Sequence, residues 1–440
     1  MTIIEALIRE WQSRTLPEFT HRDLDISLKG SLAAAVVGMR RSGKTWRLFQ
    51  EISSLTAQGV KPGHILYFNF DDERLRSYEG SGRELLNELM ETFFRLNPEA
   101  RRNLSYFFFD EIQEIQDWAV FARRIIDTEK VKLFLSGSSA KLLSSEIATE
   151  FRGRSFPFEL LPFSFREYLR HRGMSETPSL RERSEYEHAF SGYLSCGGFP
   201  EVLIQDDPFI RTGLLQNYLD MVVLRDVLER YGAANSRGIK ELAHSLVANN
   251  GNLVSVKRLT DQLAARNIPM SRETVGRLCT RLEDACLVFF VPLFSYGLQK
   301  ARVNPQKVYA VDPGLSLSLS VAPSLNLGQR FEQAVYLELR RRYPLLRTGG
   351  ISYYLTEKRR EVDFALGDTA QEIPQSLMQV CLSLKDRETR ERETGALSAA
   401  MEELGIKEAR IITLYERELI KTASGSIEVL PAWEWFLSWR

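Results

Sequence analysis

The feature that most constrains this chain is the run Gly38-Met-Arg-Arg-Ser-Gly43-Lys44-Thr45, whose spacing is Gly-x-x-x-x-Gly-Lys-Thr. An apolar segment precedes it and an amphipathic segment follows it, which predicts a glycine-rich turn between a strand and a helix. The amides of such a turn wrap phosphates, the lysine reaches the β and γ phosphates, and the threonine ligates magnesium. A glycine-rich turn with a surface lysine is the alternative.

The run therefore predicts a nucleoside-triphosphate site with ATP and Mg²⁺ as ligands. ATP is favoured over GTP because the sequence shows no Asn-Lys-x-Asp guanine signature. The predicted nucleotide-binding residues are Gly38, Arg41, Ser42, Gly43, Lys44, Thr45 and Trp46.

Two consecutive carboxylates follow the apolar run Tyr106-Phe-Phe-Phe, namely Asp110 and Glu111. We expect a buried strand to deliver both at its carboxyl end, where ligands bind in open parallel sheets. Asp110 is predicted to hold Mg²⁺ together with Thr45, and Glu111 to orient and polarise the attacking water. An acidic pair at a solvated strand end is the alternative, which the P-loop earlier in the chain disfavours.

Two further features lie near the same predicted sheet edge. The next strand ends in Ser136-Gly-Ser-Ser, where Ser136 could bind the γ phosphate or the water, and a plain turn is the alternative. Arg152 and Arg154 precede the last strand, where AAA-type ATPases often carry an arginine that reaches a neighbouring subunit. A guanidinium stays charged and can grip phosphate with two hydrogen bonds, so Arg154 is our first candidate and a surface ion pair the alternative.

The expected fold class is α/β, with several domains in 440 residues. Short apolar strands alternate with amphipathic helices up to about residue 160, as in a parallel sheet covered by helices on both faces. The predicted strands are Ala33–Val37, His64–Phe70, Leu104–Phe109, Lys132–Ser136 and Ser155–Leu160. The predicted domains are a P-loop ATPase core at 1–160, a helical lid at 161–232, a winged-helix domain at 233–320 and, after a linker at Ser320–Gly328, a mixed domain at 328–440.

The middle domain contains two predicted helices, Val254–Asn267 and Ser271–Cys286, with helix-turn-helix spacing. Thr274, Arg277 and Arg281 share one stripe of the second helix, as in a recognition helix that enters a DNA groove.

A hairpin follows, with strands predicted at Val288–Phe294 and Val308–Asp312, and its loop is expected to present Lys300, Arg302 and Lys307 to phosphates. A winged helix used for packing or oligomer contacts is the alternative. The 58 basic and 58 acidic residues give the whole chain no net field that attracts DNA.

These motifs together resemble a widespread, uncharacterised group of prokaryotic AAA-type ATPases. The ATPase part of the resemblance rests on Gly38 to Thr45, Phe107 to Gln113, Leu135-Ser-Gly-Ser-Ser, Gly153-Arg154 and Leu161-Pro-Phe-Ser-Phe-Arg-Glu. Further motifs resemble that group's C-terminal part, a winged helix followed by a restriction-endonuclease-like domain: Gly197-Gly-Phe-Pro-Glu201, Lys307-Val-Tyr-Ala-Val-Asp312-Pro-Gly-Leu, Phe331-Glu332, Glu361-Val-Asp363-Phe and Gln379-Val-Cys. The resemblance covers nearly the whole chain and implies this fold and an ATPase.

Restriction-endonuclease-like sites hold magnesium with a helix glutamate, a strand aspartate and a Glu-x-Lys on the next strand. The resemblance places Glu332 and Asp363 at the first two positions. At the third the chain has Gln379-Val-Cys381, where an amide replaces the carboxylate and a thiol replaces the lysine. Glu361 shares a strand face with Asp363 and could supply the second carboxylate. Lys385 lies four residues beyond Cys381, about 13 Å along an extended strand, so it cannot simply substitute. We expect a binding or structural remnant, with the missing cation unexplained.

The leading hypothesis is an ATPase whose nucleotide cycle rearranges a winged-helix and endonuclease-like module on double-stranded DNA. A nucleotide-dependent switch or scaffold that recognises protein partners, with slow hydrolysis as its timer, is the second hypothesis. The expected partners are further copies of the chain in a homo-oligomer or an unknown protein. An ATP-dependent nuclease built around Glu332 and Asp363 is the third.

Four widely separated cysteines show no metal-binding or redox spacing and indicate buried free thiols in a reducing compartment. The first residues, Met1–Gln12, carry charges at helical spacing, unlike the apolar part of a secretory signal. The sequence shows no apolar run long enough to cross a bilayer. We therefore expect a cytoplasmic protein with no membrane partner.

Overall fold

The computed structural model describes residues 2–138, 151, 153–177, 182–228, 236–294, 304–320, 326–344, 350–367 and 374–438. Arg152, Lys300 and Arg302 lie outside these ranges. The chain divides into two compact units. The first unit comprises Met1–Leu161 with Asp284–Cys286, and the second comprises Pro162–Glu283 with Leu287–Arg440.

One wholly parallel sheet forms the centre of the first unit, as the alternating pattern predicted. Its strands are β1 (Ala33–Gly38), β2 (Ile65–Asn69), β3 (Ser105–Asp110), β4 (Val131–Ser138) and β5 (Ser155–Glu159). Their order across the sheet is β2-β3-β4-β1-β5, so β4 lies between the P-loop strand and the acidic strand. All residues of β1 are buried, which explains its apolar sequence.

Helices cover both faces of this sheet. They are α1 (Ile3–Gln12), α2 (Lys44–Ala57), α3 (Gly82–Leu96) and α4 (Trp118–Thr128). Successive side chains of a strand point to opposite faces. Phe107 and Phe109 accordingly belong to one core cluster and Phe108 to the other. The predicted α/β fold with two covered faces is confirmed.

The second unit begins with helices, as predicted. They are α5 (Phe165–His171), α6 (Arg183–Cys196), α7 (Pro200–Leu203) and α8 (Pro208–Met221), and a π-helical turn at Val222–Leu228 follows. Asp312 joins this part to a later helix. Its carboxylate accepts the Gly198 N–H at 2.6 Å and the Leu315 N–H at 3.0 Å.

The middle of this unit combines helices with a small antiparallel sheet of order β6-β8-β7. Its elements in chain order are α9 (Ser236–Ala248), β6 (Leu253–Val254), α10 (Val256–Ala265), α11 (Arg272–Asp284), β7 (Val288–Val291), β8 (Gln306–Ala310) and α12 (Pro313–Ser318). The second hairpin strand was predicted two residues too late. Lys307 therefore lies within β8 and is buried, so its predicted place in an exposed wing loop is wrong.

A mixed sheet of order β13-β14-β12-β11-β10-β9 completes the second unit. The elements are α13 (Leu327–Arg342), β9 (Ile351–Leu355), β10 (Glu361–Leu366), β11 (Ser376–Val380), α14 (Arg387–Leu404), β12 (Glu408–Thr413), β13 (Glu418–Lys421), β14 (Ser426–Pro431) and α15 (Ala432–Leu437). The sequence predicts a strand at Leu377–Ser383, whereas β11 spans Ser376–Val380. Helix α13 starts at Leu327, inside the predicted linker. In the described part of the chain, no helix combines the length and apolarity needed to span a membrane.

Candidate functional site

The P-loop connects β1 to α2 through two glycines with different constraints. A Cβ on Gly38 would collide with the carbonyl oxygen of Leu160. Gly43 has a φ of +95°, a left-handed conformation that glycine adopts at little cost, and it immediately precedes α2. These constraints give the loop the backbone that exposes amides at a helix start.

Lys44 is the first residue of α2, and its side chain is buried. The ammonium donates to the carbonyl oxygens of Gly38 at 3.3 Å and Met39 at 3.4 Å, so it folds over the loop. It also lies 3.7 Å from Glu111 Oε1. The structure thus brings the predicted phosphate-binding cation beside the predicted catalytic carboxylate.

Asp110 ends β3 with its carboxylate buried. Tyr67 donates a 2.7 Å hydrogen bond to Oδ2, Ser136 donates to Oδ1, and Thr45 also bonds this carboxylate. Burial, followed by the negative charge of Glu111, raises the pKa of Asp110, while the three hydroxyl hydrogen bonds lower it. Asp110 and Thr45, which we predicted as magnesium ligands, are therefore in direct contact.

Glu111 adopts a left-handed backbone, with φ at +52°. Its N–H donates to the Ser136 hydroxyl at 3.2 Å, and its carboxylate accepts a hydrogen bond from Gln113. Ser136 lies on the neighbouring strand β4 and is fully buried. Its hydroxyl forms hydrogen bonds with both acidic residues. Ser136, predicted to bind the γ phosphate or the attacking water, thus contacts the two acidic residues predicted to bind magnesium and to activate that water.

Arg22 is a component of this site that the sequence interpretation missed. It is buried, and its guanidinium donates to the carbonyl oxygens of Ser42 at 2.8 Å and Leu161 at 2.6 Å. Gln50 of α2 exchanges hydrogen bonds with the Arg22 backbone, at 2.7 and 3.1 Å. Arg22 lies in a segment without helix or strand, so no periodicity or motif marked it.

The remaining predicted residues of this region differ in exposure. Arg41 is exposed with a φ of +68°, and Ser42 is buried with its hydroxyl unpaired in the described structure. Trp46 is 41% exposed and meets Phe49 edge-on. Arg154 forms a surface ion pair with Asp127, the alternative that we had kept open for it.

A second cluster of predicted residues lies in the second unit, around Lys307. Its Nζ is 2.7 Å from Glu332 Oε1, 2.8 Å from Glu361 Oε1 and 2.8 Å from Asp363 Oδ1. Tyr309 also donates to Glu332 Oε1, at 2.5 Å. Burial, followed by the charge of Asp363, raises the pKa of Glu332 to about 7, although Lys307 lowers it. A buried cation therefore lies among these carboxylates, and it comes from β8.

Gln379, predicted as part of a degenerate nuclease site, is adjacent to Asp363. Its amide oxygen accepts a hydrogen bond from the Asp363 N–H at 3.2 Å, and its amide nitrogen donates to Glu393 at 2.6 Å. Gln379 therefore contacts the backbone of Asp363 and leaves its carboxylate free to contact Lys307. Burial raises the pKa of the Cys381 thiol to about 12, which keeps it neutral. Across the described ranges, no three or more His, Cys, Asp or Glu side chains are arranged to hold a metal ion.

The predicted DNA-contact stripe lies on α11. Its apolar face is buried through Val275, Leu278 and Leu282. Arg277 is 60% exposed and lies 3.9 Å from Glu273, and the Ser271 hydroxyl caps the helix by accepting the Thr274 N–H. Arg281 is half-buried on the same stripe.

Residues 31–169 match a family model described as an AAA domain, and residues 187–327 match one described as a domain of unknown function, DUF8612. The uncharacterized protein MJ1544 of Methanocaldococcus jannaschii is 34% identical over 427 residues, which cover 95% of this chain and 91% of that protein. The chain belongs to the family of that archaeal protein. An uncharacterized protein of Haemophilus influenzae is 28% identical over 307 residues, covering 70% of this chain and 74% of that protein.

Two solved structures are also similar in part. The Walker-type ATPase paby2304 of Pyrococcus abyssi aligns with a TM-score of 0.40 and 16% identity, over 66% of this chain and 91% of that one. The Orc1 protein of Aeropyrum pernix in complex with DNA aligns with a TM-score of 0.29 and 12% identity, over 72% of this chain and 92% of that one.

The AAA-domain match spans the P-loop, both acidic residues and Ser136. Residues 31–169 are therefore an AAA-type P-loop domain, the type of domain that binds nucleotides. Arg22 lies outside the matched range.

Proposed function

We propose that the first unit binds Mg²⁺-ATP and hydrolyses it. The observation that carries this proposal is the Ser136 hydroxyl, which bonds the carboxylate of Asp110 and the backbone of Glu111 beside the P-loop. One side chain, on the strand between the P-loop strand and the acidic strand, thus holds the carboxylate of Asp110 and the backbone of Glu111. Such fixed geometry is what positioning and electrostatic catalysis require.

The residues present fit a magnesium ion. Thr45 and Asp110 offer hard oxygen donors, which Mg²⁺ prefers, and these two side chains already bond each other. When bound, the ion would neutralise charge on the β and γ phosphates. Lys44 is proposed to release the carbonyl oxygens of Gly38 and Met39 and to bind the same phosphates.

Glu111 is proposed to accept the proton of the attacking water. Its half-buried carboxylate lies 3.7 Å from the ammonium of Lys44, the group proposed to hold the γ phosphate. Arg154 is proposed as a contribution to a neighbouring subunit, which requires its ion pair with Asp127 to open.

Replacing Glu111 with Gln tests the hydrolysis proposal. We expect turnover to fall about 10²- to 10⁴-fold while the affinity for ATP stays close to the natural value, because the amide cannot take the proton. Glu114→Gln, an exposed neighbour, is the matched control and should keep its turnover. Unchanged turnover in Glu111→Gln would show that Glu111 is not the base that accepts the proton of the attacking water.

We further propose that the second unit binds double-stranded DNA through α11. Supporting observations are the buried apolar face of this helix, its exposed Arg277, and the order of two helices followed by a hairpin. This arrangement suits a winged helix, with the arginine available to a groove or phosphate.

ATP turnover with and without duplex DNA, at several salt concentrations, together with a gel shift, tests this proposal. Arg277→Glu should weaken the shift, because it reverses a charge at the proposed interface. Arg387→Glu is the control, since Arg387 is also an exposed helix arginine with a glutamate one turn away. The DNA proposal fails if DNA changes neither turnover nor mobility. Partner capture that depends on Lys44 would then favour the switch or scaffold hypothesis.

We propose that the endonuclease-like domain supports binding and does not cleave DNA. The basis is the buried Lys307 among its carboxylates and the neutral side chains of Gln379 and Cys381. Incubation of DNA with Mg²⁺ or Mn²⁺ should give the same products, namely none above background, for the natural protein and for Asp363→Ala. Cleavage that is lost in Asp363→Ala would establish a nuclease instead.

A further inference from the structure

The Lys307 ammonium contacts three carboxylates, with hydrogen bonds to Glu332 and Asp363 and an ion pair with Glu361. An ammonium carries three N–H donors. Glu332, Glu361 and Asp363 each place an oxygen within 2.8 Å of Nζ. The lysine side chain is only 3% exposed, so water contributes little to its solvation.

The distances identify the kind of cation that this arrangement fits. Charge-assisted N–H···O hydrogen bonds span about 2.7–2.9 Å. Magnesium binds oxygen at about 2.0–2.1 Å and calcium at about 2.3–2.6 Å. The observed 2.7 and 2.8 Å separations match the ammonium. The described side chains also contain no ready-made metal cluster.

The ligands of this ammonium come from two elements, and the lysine itself belongs to a third. Glu332 lies on α13, Glu361 and Asp363 lie on β10, and the lysine itself lies on β8. Tyr309, two residues after Lys307 and on the same side of β8, adds an O–H donor to Glu332. The cation therefore links the small sheet to the helix and sheet that follow it within the second unit.

The surroundings of Asp363 fix its carboxylate toward the lysine. Its Oδ2 accepts the Val380 N–H at 2.9 Å, leaving Oδ1 for Lys307. The Gln379 amide bonds the Asp363 N–H and Glu393, so it is turned away from the ammonium. A metal ion bound by the oxygens of Glu332, Glu361 and Asp363 would have to lie beside the positively charged ammonium of Lys307.

We propose that Lys307 is the resident cation of this carboxylate site, occupying the position of a divalent metal ion and excluding such an ion from the natural protein. This inference goes beyond ATP hydrolysis and DNA binding and does not depend on either. It assigns Lys307 the roles of linking β8, α13 and β10 and of excluding a metal ion. It does not assign Lys307 a role in a reaction on a substrate.

Manganese binding to the nucleotide-free full-length protein tests this assignment, with bound ion counted by electron paramagnetic resonance or calorimetry. Lys307→Ala should bind one more Mn²⁺ per chain than the natural protein. The affinity of the natural protein for Mn²⁺ at this site should be at least about tenfold weaker than that of the variant. The double variant Lys307→Ala, Asp363→Ala should lose that additional ion. Added Mn²⁺ should also raise the melting temperature of Lys307→Ala, and it should leave the melting temperature of the natural protein unchanged.

Two results would overturn the assignment. One is Mn²⁺ binding by the natural protein that disappears in Asp363→Ala, since the ion and Lys307 would then share the site. The other is a folded Lys307→Ala variant without the additional ion. If that variant does not fold, Lys307→Ala combined with Glu361→Gln removes one charge of each sign, leaves the position of the ammonium open and keeps Glu332 and Asp363 as ligands. The same count then decides.

Discussion

The guanidinium of Arg22 donates a 2.8 Å hydrogen bond to the carbonyl oxygen of Ser42, so a residue outside the P-loop motif fixes the backbone of the loop. A second donor of the same group binds the Leu161 carbonyl at 2.6 Å. The conformation of the P-loop thus depends on a side chain from the segment before β1.

Arg22→Ala should weaken ATP binding about 10- to 100-fold, because each buried carbonyl left without its donor costs about 1–3 kcal/mol and the loop relaxes. Nucleotide titration followed by calorimetry measures the effect. Arg83→Ala, at an exposed position in the same unit, should bind ATP normally. Equal affinities for the two variants would contradict the role of Arg22.

Ser136→Ala should reduce turnover about tenfold or more and change the KM for ATP little, because the hydroxyl positions the two acidic residues. Its hydrogen bond lowers the pKa of Asp110, so its loss should also move the acidic limb of the pH–rate profile to higher pH. Ser54→Ala is the control, because that hydroxyl bonds only its own helix, at Gln50 O. A profile that keeps its position would count against this role.

Local patterns in the sequence predicted the first unit well, and contacts between distant segments explain what was missed. Strands β1 to β4 were found because each contains a continuous apolar run, and the P-loop because its spacing is contiguous. Arg22 binds residues 20 and 139 positions away, and Lys307 binds carboxylates 25 and 56 positions away. Helix and strand periodicity reflects neighbours within one element, so it does not predict contacts between residues this far apart in the sequence. The short strands β13 and β14 were also missed, since β13 alternates only between exposed and half-buried residues.

Two glycines of the second unit should respond oppositely to alanine. A Cβ on Gly198 would collide with the backbone carbonyl of Phe163, whereas a Cβ on Gly213 in α8 meets nothing within 4 Å. Gly198→Ala should therefore lower the free energy of unfolding by about 2–3 kcal/mol. Gly213→Ala should raise it by about 0.5–1 kcal/mol, because alanine loses less backbone entropy in a helix. Urea denaturation of both variants measures the contrast, and a tolerated Gly198→Ala would refute the close approach.

Asp312 should make stability fall with rising pH. Burial raises the pKa of its carboxyl from 3.8 to about 6, although the N–H groups of Gly198, Leu315 and Gly314 lower it. Between these values the folded chain keeps a proton that the unfolded chain has lost. The contribution of this group is therefore complete below the unfolded pKa and lost as pH rises through about 6.

The difference between the two pKa values corresponds to about 3 kcal/mol. Asp312→Asn cannot titrate, so the free energy of unfolding of the natural protein, measured relative to this variant, should fall by about that amount from about pH 4 to about pH 7. Parallel denaturation curves of both proteins across this range provide the measurement. A difference that stays level or grows with pH would show that the Asp312 carboxylate is stabilised by its backbone donors more than it is disfavoured by burial.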